Sequence, residues 1–571
     1  MAFQLSPGVN VSEIDLTTIV PSAATSIGAF AGPFAWGPIN EITAISDEVR
    51  LTDEFGKPNS TNYEYWFSAA NFLAYSSNLK VVRTANTASV RNATANGTAI
   101  LIKNDGDYDD NHIGYGVGSY NGFAARYAGE IGNTLKVGMC DANSFSTWIY
   151  STQFTSAPGT STFVSNKGGA NDEIHIIVVD EDGLFTGTRG EILEKFPFVS
   201  KASDGKDDSG NSNYYKNVIQ NKSEYVYWLS HPAAANVAGG PVSNVAWGAA
   251  ASALPYQVLN AVDATGNTYP AIVSLSAGAD GSIVTANIVS GYNLFNSADA
   301  VDISLIVSGP TNSSTLRTIA ETRKDCISFF SPAKTDCVDN AGSEASAILA
   351  TATTIGSSSY AFMDSGWKYQ YDKYNDVYRW VPLNGDIAGL CAKSDIDRDP
   401  WFSPAGLNRG LVRNVTKLAW NPTKTERDTL YSRGVNPVVT FQGEGTVLFG
   451  DKTLLSKPSA FDRVNVRRLF IVLEKTIARA ARFSMFEFND QFTRAQFIAL
   501  VEPFLRDVQG RRGITDFRVV CDETNNTGQV IDSNEFIGDI YIKPARSINF
   551  IQLNFVAVRT GVSFDEVVGK F

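Results

Sequence analysis

The chain has 571 residues, of which 43 % are hydrophobic and 19 % are charged. This composition is typical of a soluble globular protein with about three or four domains. The formal net charge of −12 argues against a protein that binds nucleic acid broadly. No apolar run approaches the roughly 18 residues of a membrane-spanning helix, and no secretory signal is visible at the N-terminus.

The first residues predict an arm followed by an α/β region. Residues 1–20 alternate like a strand, and one strand cannot stand alone, so it must pair with a sheet of its own subunit or of a neighbour. Strands are expected at 25–31, 39–44 and 79–83. A helix capped by Ser46 and an aromatic helix over 63–75 should lie between them.

The character of the sequence changes after Thr84. Residues 85–125 are rich in Asn, Gly, Ala and Asp without a helical period. Strands are expected at 135–139 and 174–179, and short β-type pieces at 231–298. We interpret 89–298 as an inserted, β-rich domain. Strands at 301–307 and 325–330, with a helix over 316–323, should rejoin the α/β region, and Cys326 should pack in its core.

The C-terminal block, 461–571, has the strongest patterning. It predicts a helix over 464–488 and a second helix that starts at Thr493, with Gln496 as its capping partner. Pro503 should kink or restart that helix. Strands are expected at 517–521, 536–542 and 548–558. Upstream, 423–433 should be a helix and 436–451 a Gly-rich hairpin.

Few residues suggest bond-making chemistry. The three histidines (His112, His175 and His231) have no second ligand at a metal spacing. Asp105, Asp107 and Asp109 imitate the start of a calcium loop, but Gly and Glu are missing at its sixth and twelfth positions, which favours a solvated acidic loop. The five widely spaced cysteines predict reduced structural thiols. We predict no enzyme activity, no metal and no cofactor.

Several long sequence runs resemble the members of one protein family, and they occur in the same order along the chain. They include LSPGVNVSEID (5–15), FAGPFAWGP (30–38), WKYQYDKYNDVYRWVPLNGDIAGLCAKSD (367–395), FDRVNVRRLF (461–470) and KPARSINFIQLNFVAVRTGVSFDE (543–566). These runs look like contractile phage tail sheath proteins of the T-even type of myovirus. Together the similar runs cover roughly two thirds of the chain.

The resemblance implies a multidomain α+β fold. It comprises a C-terminal helix-plus-sheet domain completed by the N-terminal arm, a discontinuous α/β middle domain and a β-rich inserted outer domain. The expected boundaries are an N-terminal linking arm (1–22), the middle domain (23–88 and 299–422), the outer domain (89–298), the inner sheath domain (423–559) and a C-terminal linking arm (560–571).

Both ends of the chain are candidate contact sites. In such families the arms link neighbouring subunits, which favours strand addition between copies over an intramolecular edge strand with a frayed tail. The candidate linking residues are Leu5, Val9, Val11, Ile14, Val562, Phe564, Val567 and Val568.

A basic stripe on the first C-terminal helix is a second candidate. The segment 457–518 holds 12 Lys/Arg and 7 Asp/Glu, a net charge of +5 on an acidic chain. The stripe either pairs internally with Glu474, Glu487 and Asp490 or docks an acidic partner. The resemblance makes the tail tube that partner, and the possible tube-facing residues are Arg468, Lys475, Arg479 and Arg482.

The sequence therefore predicts a structural subunit of a contractile phage tail sheath. Its expected partners are copies of itself in stacked hexameric rings, the tube protein, and baseplate and tail terminator proteins, with neither nucleic acid nor membrane insertion. It should be assembled in the host cytoplasm and reside in the virion. The sheath of a phage-derived injection device of the R-type pyocin kind, or a β-rich adhesion or carbohydrate-binding protein, are the alternatives.

Overall fold

We describe the fold from a computed structural model, which describes residues 25–116, 119–120, 122–232, 243–259, 261–262, 268–269, 271–549 and 552. The chain divides into two compact units. The larger unit comprises Ser22–Pro400 and Pro404–Thr476, and the described part of the smaller unit comprises Trp401–Ser403 and the residues from Ile477 onwards.

The strands in chain order are β1 (Gly28–Gly32), β2 (Ile42–Ile45), β3 (Leu79–Arg83), β4 (Phe123–Ala125), β5 (Leu135–Cys140), β6 (Glu173–Asp180), β7 (Glu191–Ser200), β8 (Val226–Trp228), β9 (Ala261–Val262), β10 (Thr268–Tyr269), β11 (Ala271–Ser274), β12 (Leu305–Val307), β13 (Ile327–Phe330), β14 (Ala361–Asp364), β15 (Trp367–Asp372), β16 (Val377–Pro382), β17 (Lys417–Leu418), β18 (Val435–Asn436), β19 (Val438–Phe441), β20 (Gly445–Leu448), β21 (Ile514–Val520) and β22 (Asp539–Pro544). The α-helices are α1 (Glu48–Phe55), α2 (Tyr63–Leu73), α3 (Asp105–Asn111), α4 (Thr162–Ser165), α5 (Tyr215–Lys222), α6 (Thr285–Tyr292), α7 (Ser314–Arg323), α8 (Lys334–Cys337), α9 (Glu344–Ile355), α10 (Asn384–Asp397), α11 (Lys424–Ser432), α12 (Val464–Ala481), α13 (Gln491–Gly510) and α14 (Gly528–Asp532).

The larger unit is built on a seven-stranded sheet with the order β18-β14-β13-β12-β1-β3-β2. All neighbouring strands run parallel except β2, which is antiparallel to β3. Successive residues of β1 face opposite sides. Phe30 packs with α2 and α10, while Ala29 and Ala31 pack with α6, α7 and α9. This double cover explains why these strands are almost continuously apolar in sequence.

A second core of the larger unit lies in the segment that we interpreted as an insertion. The antiparallel sheet β11-β5-β6-β7 and the pair β4-β8 pack with α5. Its core is rich in aromatic residues, including Tyr215, Trp228 and Trp247. The mixed α and β composition that the sequence predicts is confirmed, whereas the domain boundaries stay predictions.

In the described part of the smaller unit, α13 packs against the antiparallel pair β21-β22. The helix buries the apolar residues Phe497, Val501, Leu505 and Val508. The predicted strand at 548–558 lies almost wholly outside the described residues. The structure therefore describes two of the three strands expected here.

Two expectations for the C-terminal block were wrong in detail, and half of a third was wrong. The first helix, α12, ends at Ala481 and is followed by a 3-10 turn (Arg482–Ser484), so it does not reach residue 488. The second helix begins at Gln491, where the Asp490 carboxylate accepts a hydrogen bond from the backbone N–H of Thr493. It then runs to Gly510 with Pro503 inside it, so the restart expected at Pro503 does not occur, while the kink stays a prediction.

Two further expectations are corrected near the N-terminal half. Asp47, rather than Ser46, caps α1, because its carboxylate accepts the Arg50 backbone N–H at 2.8 Å. The expected acidic loop at 105–110 is the short helix α3, which Asn104 caps. In both helices the side chain directly before the first helical residue, Asp47 or Asn104, accepts a hydrogen bond from an otherwise unpaired backbone N–H of the first turn.

Candidate subunit-contact surfaces

The predicted linking arms lie outside the described residues. This applies to all eight candidate linking residues, namely Leu5, Val9, Val11, Ile14, Val562, Phe564, Val567 and Val568. Their role as arms stays a prediction.

Arg468, the first member of the basic stripe, is buried inside the larger unit. Its guanidinium donates to both carboxylate oxygens of Asp395 at 2.6 and 2.5 Å and to the backbone carbonyl of Cys391 at 3.2 Å. Only 4 % of the Arg468 side chain and 5 % of the Asp395 side chain are exposed. In this conformation Arg468 joins α12 to α10 and does not present its charge to a partner.

Lys475 is also engaged within the larger unit. Its ammonium group donates to the Asp302 carboxylate at 2.6 Å and to the carbonyl of Ile303 at 2.8 Å. Asp325 lies 3.8 Å away. The sequence pattern suggested nearby internal partners (Glu474, Glu487 and Asp490), but Arg468 pairs with Asp395 and Lys475 with Asp302, which come from distant segments.

Arg479 and Arg482 belong to the smaller unit. Arg479 is partly exposed and Arg482 is exposed. These two residues are the more exposed end of the stripe, and their contact with a tube stays a prediction.

A polar network fills the carboxyl-end edge of the parallel sheet. The order β3-β1-β12-β13 places a topological switch point between β1 and β12, the place where open α/β sheets usually bind ligands. Here the Asn384 amide, at the start of α10, donates to the Gly309 carbonyl at 2.7 Å and accepts the Gly309 N–H at 3.1 Å. It also donates to the hydroxyls of Ser308 and Ser331. The chain's own side chains thus occupy this edge.

Asp364 extends the same network at the end of β14. Its carboxyl group accepts the Ser331 hydroxyl at 2.7 Å and the Gly366 N–H at 2.9 Å. Burial raises the pKa of Asp364 to about 8, because desolvation disfavours the charged form. The group is therefore mostly protonated at neutral pH. A neutral carboxyl group can hydrogen-bond to Ser331 and Gly366 at this edge without leaving a charge buried in the core.

His175, His231 and Asp105, which the sequence analysis weighed as possible metal ligands, pack against or pair with other side chains of the chain. His175 is buried and stacks on Phe154, and burial lowers its pKa. His231 contacts the Tyr215 hydroxyl, and burial lowers its pKa to about 4. Asp105 pairs with Arg126 at 2.6 Å. Among the described residues, no group of three or more His, Cys, Asp or Glu side chains could hold a metal ion.

The five cysteines lie within the described residues, and all are buried as free thiols. This confirms the expectation of unpaired structural cysteines. Burial raises the pKa of Cys326 and of Cys391 to about 12, so neither thiol is a reactive thiolate at neutral pH.

A feature that the sequence analysis missed lies between the end of α12 and the first turn of α13. Residues 483–492, which we call the aromatic segment, expose five large apolar side chains, namely Phe483, Met485, Phe486, Phe488 and Phe492. The sequence reading assigned 483–488 to the end of a helix, where such residues would be partly covered. Because α12 ends at Ala481, Phe483, Met485, Phe486 and Phe488 lie in the connection between the helices, and Phe492 lies in the first turn of α13.

None of the helices in the described parts of the chain combines the length and the apolar character that crossing a bilayer requires. Across these parts the structure shows packed domains, buried ion pairs and exposed apolar and basic surfaces.

Comparison with known proteins identifies the class. Residues 257–454 match the family described as phage tail sheath protein central domain, and residues 456–557 match the phage tail sheath C-terminal domain. The tail sheath protein of Vibrio phage KVP40 is 31 % identical over 99 % of this chain and 100 % of its own length. The tail sheath protein of Enterobacteria phage T4 is 32 % identical over 99 % of both chains.

Solved structures agree on the fold. The sheath tail protein from Desulfitobacterium hafniense aligns with 94 % of this chain and 100 % of its own, with a TM-score of 0.51 at 12 % identity. At that identity the likeness concerns the fold alone. On the full-length sequence relationships, the chain belongs to the phage tail sheath protein family.

Proposed function

We propose that this chain polymerises as helically stacked hexameric rings around a tail tube and contracts to drive the tube through the host cell envelope. The observation that carries the proposal is the relationship, at 31–32 % identity over 99 % of the chain, to two phage tail sheath proteins. A head-to-tail contact that does not close generates such a filament.

The proposed mechanism is mechanical and non-enzymatic. An extended lattice is a metastable packing, and subunits reorient into a denser packing that buries more surface between them. Rigid bodies suit this work, since packed cores switch between arrangements and do not deform continuously. The doubly covered sheet and the buried pair of Arg468 with Asp395 support a stiff larger unit. No cofactor takes part.

The two ends of the chain would keep the lattice connected during this movement. Residues 5–15 and 560–571 add as strands to neighbouring subunits, since main-chain hydrogen bonds across a sheet edge give affinity and alternate side-chain pockets give specificity. The domain boundaries given above belong to this proposal. The arms lie at the ends, the inner sheath domain at 423–559 and the outer domain at 89–298.

The remaining partners follow from the same role. Arg479 and Arg482 are the candidates for charge-assisted contacts with an acidic tube surface, which suit a contact that must later slip. The ends of the sheath meet baseplate and tail terminator proteins. Assembly takes place in the host cytoplasm and the product resides in the virion, without binding nucleic acid or inserting into a membrane.

Electron microscopy of the purified full-length chain tests the proposal. We expect tubes with a central channel and a regular axial repeat. A protein that stays monomeric at all concentrations, both alone and with tube protein, would refute the proposed role.

The arms are tested by substitutions on alternate residues of the N-terminal arm. Val9→Asp with Val11→Asp should abolish polymerisation, because these residues would face the neighbouring subunit. Asn10→Asp with Ser12→Asp, on the opposite face, is the matched control and should be tolerated. Normal tubes from the Val9/Val11 variant would refute the linking role.

A further inference from the structure

The aromatic segment is the most exposed apolar surface in the described chain. Phe486 is fully exposed at 101 % of its reference area, and Phe488, Phe492 and Phe483 are exposed at 84 %, 75 % and 72 %. Phe486 also adopts a left-handed backbone conformation with φ of 70°, which a bulky residue rarely adopts. Four exposed phenylalanines within ten residues are unusual for a surface that contacts only water, and exposed apolar patches commonly mark interaction sites.

The segment is held firmly at its C-terminal side. The Asn489 amide donates to the Glu535 carbonyl at 2.8 Å. The buried Arg494 side chain donates to the Asn489 side-chain oxygen at 2.9 Å and to its backbone carbonyl at 3.2 Å. Asp490 caps α13. A preorganised apolar surface loses little conformational entropy when it binds, which favours a docking role.

The size of the surface indicates what covers it. At about 200 Å² per aromatic side chain and exposed fractions of 72 % to 101 %, the four phenylalanines offer roughly 650 Å² of apolar surface. This is the upper end for a patch on a monomer, and most of the roughly 800 Å² that one partner contributes to a stable interface. Permanent contacts between copies are more apolar than contacts that must release. A second copy of this chain therefore fits better than a tube along which the sheath slips.

The larger unit offers a concave surface whose lining is partly apolar and partly polar. A groove of about 570 Å³ lies beside the hairpin β19-β20, and its lining includes Leu411, Val412, Val415 and Leu418. Leu411, at its rim, is 51 % exposed. Lys417 is the one charged residue among the groove-lining residues that the structure describes, and it lies 5.0 Å from the ring of Tyr369.

Charge supports the same pairing. Glu487 and Asp490 are exposed within the aromatic segment and would meet Lys417 at the groove. We propose that the aromatic segment of one copy docks into the groove of a second copy, with Phe486 and Phe488 as anchors. The contact joins two different surfaces of one chain and is therefore heterologous, the kind of contact from which both rings and open filaments are built. This inference rests on the proposed polymerisation.

Disulfide trapping between two single variants tests the contact directly. A Phe486→Cys chain is mixed with a Leu411→Cys chain under polymerising conditions and then oxidised. Because the native cysteines are all buried, we expect a cross-linked species of twice the 61.7 kDa chain mass that forms only in the mixture. Phe486→Cys with Ile149→Cys is the matched control, since Ile149, at 71 % exposure, is more accessible than Leu411 but lies outside the groove. Absence of the mixed dimer from assembled tubes would overturn the proposal.

An assembly assay gives an independent readout. Phe486→Ser with Phe488→Ser should raise the critical concentration for polymerisation at least tenfold and leave the melting temperature of the monomer unchanged. Ile149→Ser is the control and should polymerise like the unmodified chain.

The outcomes separate the two proposals. If the unmodified chain forms no tubes, the proposed function fails. If it forms tubes and the double variant forms them at the same concentration, only the docking inference fails. A double variant that polymerises normally but no longer binds tube protein would also overturn it, and would assign the aromatic segment to the tube.

Discussion

Replacing Arg468 by methionine should destabilise the larger unit strongly. The change lies in the interior, because only 4 % of the Arg468 side chain is exposed. The substitution keeps most of the aliphatic stem but leaves the Asp395 carboxylate buried, at 5 % exposure, without its guanidinium partner. Removing one member of a buried ion pair costs about 3–5 kcal/mol, because the remaining charge stays desolvated. The free energy of unfolding should fall by that amount.

The magnitude can be checked by urea unfolding followed by tryptophan fluorescence. Of the nine tryptophans, only Trp401 lies in the smaller unit, so the signal reports mainly on the larger unit. Arg50→Met is the matched control, since Arg50 pairs with Glu54 on the exposed face of α1. Exposed pairs of this spacing contribute about 0.3–0.5 kcal/mol.

A double variant tests whether the buried, unpaired carboxylate causes the loss of stability. Arg468→Met with Asp395→Leu removes both charges, and a buried pair replaced by apolar residues is often neutral or stabilising. We therefore expect the double variant to recover most of the loss. The reasoning is refuted if Arg468→Met unfolds within about 1 kcal/mol of the unmodified chain but fails to assemble. That result would instead support the contact with the tube that the sequence pattern suggested for Arg468.

Three further predictions concern the larger unit. Because the pKa of Asp364 is raised to about 8 in the folded state, against about 3.9 when unfolded, its stabilising contribution is complete below pH 4 and is lost as the pH rises through 8. Relative to Asp364→Asn, the unmodified chain should therefore lose at least about 1 kcal/mol of stability between pH 5 and 7, and parallel melting curves would contradict this. Thr423→Ala should cost about 1 kcal/mol and speed amide exchange in α11, since Thr423 and Glu426 form a capping box, while the exposed Thr425→Ala should not. Gly385→Ala should cost about 1–3 kcal/mol or more, because the added Cβ would lie 2.2 Å from the Ser68 carbonyl oxygen. Gly106→Ala, whose Cβ meets only an ordinary contact at 3.5 Å, is the control, and equal melting temperatures for these two variants would contradict the tight approach of α10 to α2.

The local elements were largely predictable from sequence. The aromatic helix α2, the strand β3 and the hairpin β19-β20 follow from patterns of apolar residues and turn residues that act within a few positions. The family was also identifiable, because long runs in a fixed order do not depend on the packing of the chain. Helix ends were less certain, since neighbouring polar residues such as Ser46 and Asp47 compete for the same cap.

The candidate contact surfaces were only partly predictable. The helical spacing of Arg468, Lys475, Arg479 and Arg482 placed four cations on one stripe, but spacing says nothing about what packs against that stripe. The aromatic segment escaped notice because phenylalanines near a helix end are equally consistent with a buried face.

The sequence by itself determined the family, the alternation of helices and strands, and the unpaired state of the five cysteines. The tertiary structure alone decided which charges are available to partners. Asp395 lies 73 positions from Arg468, and Asp302 lies 173 positions from Lys475. Local periodicity acts over a few residues, whereas burial and ion pairing depend on segments that only the folded chain brings together.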